Sequence, residues 1–437
     1  MRPAWEAGLR GRLYALGRRV VPIGWRRALR RRVAPERLLG IAKPGADVSF
    51  LPGPAAGPRG TRADALVLPV IAWSYRRQRP QQLAEALARR GRRVFYGSLA
   101  GFGEPVAPGS VAPGVTLLPI AGVRREDLAE RRLDAAARDA AAASIAEARS
   151  RFDVGPAAVI AQSPFWTPLA VALRERHGWS FVYDCLDAHE GFGTNRPGVL
   201  AEAEAEAART ADLVVATSEP LRRRLAAGGC DARLLPNAAD YAMFSGIPAP
   251  EGGDGGVLTI GYVGALDAWF DFELLEALAR RRPAWRFEIV GGLENVDSAR
   301  VRLPNVVFHG ERPHREVPAL RARFDVEIIP FRPSPLTHAT DPVKLYEAAA
   351  AGRAVVATPL ESLAELARRG VVRLAATAEE FASQIEAAAA EGPDAVAARR
   401  AFAAENTWDD RAARLDGWLD ACGAESAPIR RDAGGAR

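Results

Sequence analysis

The chain has 437 residues, 48% hydrophobic and 26% charged, the balance of a water-soluble globular protein long enough for two or three cores. No run of about 18 uncharged apolar residues occurs, and the arginine-bearing start lacks an unbroken apolar stretch, so neither a transmembrane helix nor a secretory signal is expected. The net charge is +6, yet residues 1–40 hold eleven arginines and two glutamates, a net +9 that leaves the remainder at −3.

Those arginines alternate with Trp5, Leu9, Leu13, Leu16, Val20, Val21, Trp25 and Leu29. The pattern is amphipathic and suits an anionic membrane surface, whereas nucleic-acid binding asks for a basic folded face. The three cysteines, Cys185, Cys230 and Cys422, are too far apart for a disulfide framework or a CxxC knuckle, which fits a reducing cytoplasm. The five histidines show no HExxH-type pairing, so no metal site is expected.

Residues 41–63 are rich in proline and glycine and read as a linker closing a basic extension, residues 1–63. From residue 64, apolar runs alternate with helical stretches. Strands are expected at Ala65–Ala72, Arg93–Gly97, Thr116–Ile120, Ala157–Gln162, Phe181–Cys185 and Asp212–Thr217. Helices are expected at Gln81–Arg90, Glu126–Ser150, Thr167–Arg176, Leu200–Thr210 and Glu219–Ala227. The glycine-rich run 251–256 reads as an interdomain linker. Strands then resume at Leu258–Val263, Arg286–Val290, Val306–His309, Val326–Pro330 and Ala354–Thr358, with helices at Glu273–Arg281, Arg315–Arg323, Val343–Ala351 and Ser362–Arg369. Two alanine-rich helices follow. The last, Trp408–Ala421, spaces Trp408, Ala412, Leu415 and Leu419 on one face. The alternation predicts an α/β chain of two doubly wound, Rossmann-like parallel-sheet domains, 64–250 and 256–405, with 406–437 as a final helix and tail. Ligands bind at the carboxyl ends of such sheets, so a cleft between the domains is the expected site.

Gly264 ends the first strand of the second domain, and Asp267 follows before a helix start. A glycine there lets backbone approach a phosphate. The spacing is not GxGxxG, which argues against a nicotinamide dinucleotide. Gly291 and the run Gly310-Glu311-Arg312 end two further strands on the same edge. The sharpest feature is Thr340-Asp341-Pro342-Val343-Lys344-Leu345-Tyr346-Glu347. Asp341 stands where an N-cap would and Pro342 where the first helical residue would. Lys344 and Glu347 share one side of that helix. A helix start plus a lysine suits a diphosphate, and a carboxylate one turn on can accept from ribose hydroxyls. The same residues equally describe a capped helix with a surface Lys–Glu pair. In the first domain, Trp73, Arg76, Gln78 and Arg79 crowd the first strand-to-helix connection and could face a phosphate or an acceptor. Asp187 and His189 follow another strand and could serve acid–base or hydrogen-bonding roles, or simply cap and fill a loop. Neither Ser163 nor Ser218 has a GxSxG context, so a hydrolase elbow is not indicated.

The ordered set of segments resembles the retaining GT-B glycosyltransferases of group 1, also called glycosyltransferase family 4. The segments are Gln78-Arg79-Pro80-Gln81-Gln82-Leu83, Tyr183-Asp184-Cys185-Leu186-Asp187, Leu235-Pro236-Asn237, Gly261-Tyr262-Val263-Gly264, Asp341 through Glu347, and Thr407-Trp408-Asp409-Asp410-Arg411. The chain is most similar to the bacterial enzymes that build surface polysaccharides, the teichuronic-acid type among them. The resemblance implies transfer of a hexose from a UDP- or GDP-sugar to a lipid-linked or glycan acceptor at the inner membrane face, without a metal. It implies a last helix that returns to the first domain, and same-face substitution in which the leaving diphosphate takes the acceptor's proton. Lys344 and Asp187 then become the candidate catalytic residues. Glu347 matches the second glutamate of the family's E-x7-E motif, whereas Ala339 stands at the first, and Asp267 and Trp269 replace the usual basic residues near Gly264. An epimerase or hydrolase on the same fold, or an inactive nucleotide-sugar-binding protein, are the alternatives.

Overall fold

A computed structural model describes residues 51–52, 60–100, 108–124, 128, 132–192, 197–249, 256–293, 296 and 301–425. Expectations for the N-terminal basic segment, most of the first linker, residues 250–255 and the C-terminal tail lie outside these.

The first sheet contains β1 (Leu51–Pro52), β2 (Asp64–Leu68), β3 (Val94–Ala100), β4 (Gly109–Ala112), β5 (Val115–Arg124), β6 (Ala157–Ala161), β7 (Ser180–Cys185), β8 (Leu213–Ala216) and β9 (Arg233–Leu234). Their order is β1-β4-β5-β3-β2-β6-β7-β8-β9. From β5 to β9 every neighbouring pair is parallel, while β1 and β4 pair antiparallel at one edge. The second sheet contains β10 (Thr259–Val263), β11 (Arg286–Val290), β12 (Val306–Gly310), β13 (Val326–Ile329), β14 (Ala354–Ala357) and β15 (Arg373–Leu374), in the order β12-β11-β10-β13-β14-β15 and parallel throughout. Both sheets reverse direction of growth beside their first parallel strand, at β2/β6 and at β10/β13, the switch-point arrangement of doubly wound folds.

The strands are apolar on both faces because helices cover both. Along β2, Leu66 and Leu68 join one core with Phe95, Val159 and Phe181, while Ala65 and Val67 join the other with Val94, Ile160 and Val182. The helices used below are α1 (Arg79–Arg89), α2 (Ala135–Phe152), α3 (Phe272–Arg281), α4 (Val317–Arg321), α5 (Pro335–Ala339), α6 (Val343–Ala350) and α7 (Trp408–Glu425). Trp408, Ala412, Leu415 and Leu419 of α7 sit in the core that faces α1, so the last helix packs on the first sheet. Asp416 anchors it: its carboxylate meets Arg92 at 2.7 Å, Arg62 at 2.8 Å and Arg90 at 3.1 Å. All described residues belong to one compact unit. None of their helices is long and apolar enough to cross a membrane.

Several expected boundaries move for local reasons. β2 stops at Leu68 because Pro69 has no N–H for the ladder. α2 begins at residue 135 rather than 126, where the Asp134 carboxylate accepts from the Ala137 amide at 2.9 Å. The expected helix at 315–323 is a 3-10 turn, His314–Glu316, followed by the short α4. α5 is an additional helix between the strand expected at Val326–Pro330 and the helix expected at Val343–Ala351. Ser334 caps it and Pro335 occupies its first turn.

Candidate functional site

At the carboxyl edge of the second sheet three glycines stand side by side. The Gly264 amide donates to the Val290 carbonyl at 2.9 Å, and the Gly291 amide donates to the Gly310 carbonyl at 2.9 Å. Gly264 (φ +154°) and Gly291 (φ +159°) lie so close that a Cβ on Gly291 would sit 1.7 Å from the Gly264 carbonyl oxygen. A Cβ on Gly264 would in turn sit 2.7 Å from Lys344 Cε. The glycines therefore make a bare backbone ridge with Lys344 lying over one end.

The Lys344 ammonium is held over aromatic faces, 4.7 Å from the Phe331 centroid and 5.2 Å from that of Tyr262. Among the described residues no carboxylate reaches it within ion-pair distance. Burial pulls its pKa down to about 8. One turn on, Glu347 is fixed by Arg321 Nη2 at 3.0 Å, with His314 Nε2 at 3.8 Å. Burial works against ionisation of Glu347, but His314 and Arg321 outweigh it and hold the carboxyl below its usual range. Arg321 also meets Glu327 at 3.1 Å, and burial raises that carboxyl to about 7. Arg321, Glu327 and His314 were not anticipated. The one signal available was a glutamate inside the apolar run of β13.

The expected capping role of Asp341 is corrected. The N-cap of α6 is Pro342 and its helix begins at Val343. The Asp341 carboxylate caps none of the first α6 amides; it accepts from the Asn237 amide at 2.6 Å and from the hydroxyl of Tyr346, further along α6, at 3.0 Å. Asn237 Nδ2 also donates to the Asp341 carbonyl at 2.6 Å. This clasp ties the loop after β9 to the entry of α6. Just before it, α5 drives Leu336 and Ala339 into the core of the first sheet, and the Ser218 hydroxyl donates to the Ala339 carbonyl at 2.6 Å. Position 339 thus faces packed side chains, so its alanine is a core residue.

Asp187 stands across from Lys344 and is joined to the second half of the chain by the Thr340 hydroxyl, at 3.3 Å. Burial lifts its pKa to about 7, opposed by the Thr340 hydrogen bond. His189 opens the 3-10 turn His189–Phe192 with its Nε2 buried and without a hydrogen-bond partner among the described residues. Burial, with Arg224 nearby, lowers it to about 4, so the ring is neutral at pH 7 and does not act as an acid there. Phe192 in that turn meets the edge of Trp269, with centroids 6.0 Å apart.

Three first-domain candidates take structural roles instead. Arg79 is 3% exposed and forks onto Asp184, Nη2–Oδ1 2.8 Å and Nε–Oδ2 3.2 Å, while Nη1 donates to the Leu235 carbonyl at 3.0 Å. It bolts α1 to β7 and the β9 loop. Trp73 is buried against Tyr96, edge to face at 5.0 Å. Gln78 starts α1, where its amide donates to Gln81 Oε1 at 3.1 Å. Arg76 does reach the cleft and pairs with Glu311 across it. In the second half, the Asp267 carboxylate accepts from the Ala268 amide at 2.7 Å, which makes it part of a turn, and Arg312 is exposed beside Gly310. Among the described residues no group of three His, Cys, Asp or Glu could hold a metal ion.

Residues 258–391, which include the glycine ridge, Lys344 and Glu347, match the family model described as glycosyl transferases group 1. The chain carries a group 1 glycosyl transferase domain. Over 217 residues it is 31% identical to TuaH of Bacillus subtilis (strain 168), whose name assigns it provisionally to teichuronic acid biosynthesis as a glycosyltransferase. That match spans 44% of this chain and 54% of the relative, so the chain spans about half the length of the curated protein it matches. Among solved structures, sucrose-phosphate synthase from Thermosynechococcus elongatus superposes with a TM-score of 0.68 at 18% identity, over 83% of this chain and 100% of that one. A glycosyltransferase from Rickettsia africae ESF-5 gives 0.62 at 15% identity, over 83% and 99%. Anabaena HepE, solved with UDP and glucose, gives 0.60 at 18% identity, over 82% and 100%. At these identities the likeness establishes the fold, which is GT-B.

Proposed function

We propose that the chain is a retaining glycosyltransferase that moves a hexose from a UDP- or GDP-sugar to a lipid-linked or glycan acceptor in surface-polysaccharide synthesis. The observation that carries this is the Lys344 ammonium over the bare glycine ridge, with Glu347 fixed one turn deeper, inside the group 1 domain. A diphosphate on the ridge would meet bare backbone without side-chain obstruction, the start of α6, and a lysine that no described carboxylate holds in an ion pair. Glu347, held ionised by Arg321, can accept from two ribose hydroxyls. As the glycosidic bond to phosphate breaks, negative charge grows on the diphosphate, where Lys344 stabilises it. The acceptor's proton passes to the departing phosphate oxygen, so the protein needs no strong base on that face. Asp187, opposite Lys344, is placed to hold a hydroxyl of the sugar or the acceptor. The same reading has the enzyme work without a metal, at the cytoplasmic face of the membrane.

A thermal-shift panel of UDP, GDP, TDP and their sugars tests the donor reading, because a ligand bound by the folded state raises its melting temperature. No shift with any of them would sink it. NMR of the product's anomeric proton tests retention. Turnover of a nucleotide sugar without any acceptor would instead indicate an epimerase or hydrolase, and binding without turnover an inactive sensor.

A further inference from the structure

Arg76 and Glu311 meet fork to fork, Nε–Oε1 at 2.8 Å and Nη2–Oε2 at 3.1 Å, joining the loop after β2 to the loop after β12. Their side chains are 19% and 21% exposed. The pair lies at the far end of the glycine ridge from Lys344: a Cβ on Gly292 would sit 2.6 Å from Arg76 Nη2 and 2.7 Å from Glu311 Oε2. Arg76 also acts electrostatically on Tyr262, the residue whose ring lies beneath Lys344. The two cations therefore bracket one strip of bare backbone. The loop that presents Arg76 is built for the purpose: Gln81, 1% exposed, donates Nε2 to the carbonyls of Ala72 at 3.2 Å, Trp73 at 3.4 Å and Arg76 at 3.1 Å. A planar guanidinium that grips a carboxylate with two parallel bonds grips phosphate oxygens the same way. On the second-sheet side, Asp267 and Trp269 follow Gly264, so that loop brings no basic residue to the strip.

Resting on the donor-site reading above, we propose that Arg76 is a phosphate-binding residue supplied from the first sheet, with Glu311 as the carboxylate it holds until a nucleoside diphosphate displaces it. Substrate binding then exchanges one fork for another: Arg76 passes to the diphosphate and Glu311 is released to water. The bridge between the two halves of the cleft is broken by the ligand that takes its place.

The two partners of a merely structural bridge should fail alike, whereas this exchange gives them opposite signs. Calorimetric titration with UDP and GDP, and with uridine and guanosine as controls, separates the two. In Arg76→Ala, affinity for the diphosphate that the parent binds should fall roughly 10- to 100-fold, the loss of a charge-assisted fork, with nucleoside affinity unchanged. Arg76→Lys should fall in between, because lysine keeps the charge and loses the fork. Glu311→Gln should bind the diphosphate several-fold more tightly than the parent. If Arg76→Ala melts well below the parent, Glu311→Gln decides alone: tightening supports the exchange, and unchanged or weaker binding overturns it. A parent chain that binds neither diphosphate rejects the donor-site reading and this inference with it. A parent that binds one, equally well after Arg76→Ala, rejects the inference alone.

Discussion

Lys344 combines two properties that a surface lysine does not. Its ammonium is stacked between aromatic rings, and burial has brought its pKa down to about 8. Replacing it with alanine should lower kcat/KM by roughly 10²–10³-fold, the scale of losing one preorganised charge at a reacting centre, measured with the nucleotide sugar that the thermal-shift panel selects. A bound diphosphate favours the protonated amine, so its pKa rises on binding. Above pH 8 binding should take up a proton and weaken, which titration in buffers of different ionisation enthalpy would register; proton-neutral binding at pH 9 would contradict the role. Glu327 makes a second test by pH. Its folded pKa, about 7, lies above the ordinary carboxylate value. The stability tied to its protonated form is fully present below that ordinary value and is lost as pH rises through 7. Glu327→Gln does not titrate, so its melting temperature relative to the parent should improve from pH 4.5 to just above pH 7 and then level off. A difference that stays flat with pH would show that Glu327 is not the titrating group.

The strand-to-helix connections explain which expectations survived. The glycines at 264, 291 and 310, Lys344 and Glu347 were legible because sheet topology and helix spacing are local and repetitive, and together they dictate where strand ends converge. Arg79 and Asp341 were misread because their partners are distant in sequence. Asp184 is 105 positions from Arg79, and Asn237 is 104 from Asp341. A charged residue in a connection looks the same on paper whether it meets water or is sealed beneath α1. Ala339 looked like a lost ligand for the same reason, since nothing local shows that α5 turns it into the core of the other sheet. The corrected role for Arg79 has its own consequence. Arg79→Ala strands Asp184 as a buried charge and should cost about 3–5 kcal/mol in chemical denaturation, with nucleotide affinity per folded molecule unchanged. A loss of affinity without a loss of stability would restore it to the site.

At the scale of the whole molecule, the two sheets are held by contacts of two kinds. The clasp of Asn237 on Asp341 and the insertion of α5 are buried, while the Arg76–Glu311 bridge keeps about a fifth of its side-chain surface in water. The first kind is sealed from water, and the second is the contact that the proposed exchange would release. The return of α7 matters as much. Asp416 is the common partner of Arg62, Arg90 and Arg92, and Arg92 is itself fully buried. Asp416→Ala should cost about 3–5 kcal/mol, because Arg92 is left charged with its main partner gone, and urea titration followed by tryptophan fluorescence would measure it.

The path of α7 also sets an order of assembly. Residues 64–234 are made before the second sheet, but one face of their sheet, covered in part by α1, gains the rest of its cover only when residues 408–425 emerge. The second sheet is complete in sequence by residue 374 and can fold before then. The half that is synthesised first is therefore finished last, and until α7 arrives the core that α1 shares with Val67, Ile160 and Val215 lacks Trp408, Ala412, Leu415 and Leu419. Premature termination at residues 405–407, after the helices that complete the second core, should leave a product with a folded second half and an aggregating first half. A circular permutant that begins at α7 would reverse that order, giving the first sheet its cover before the second is made.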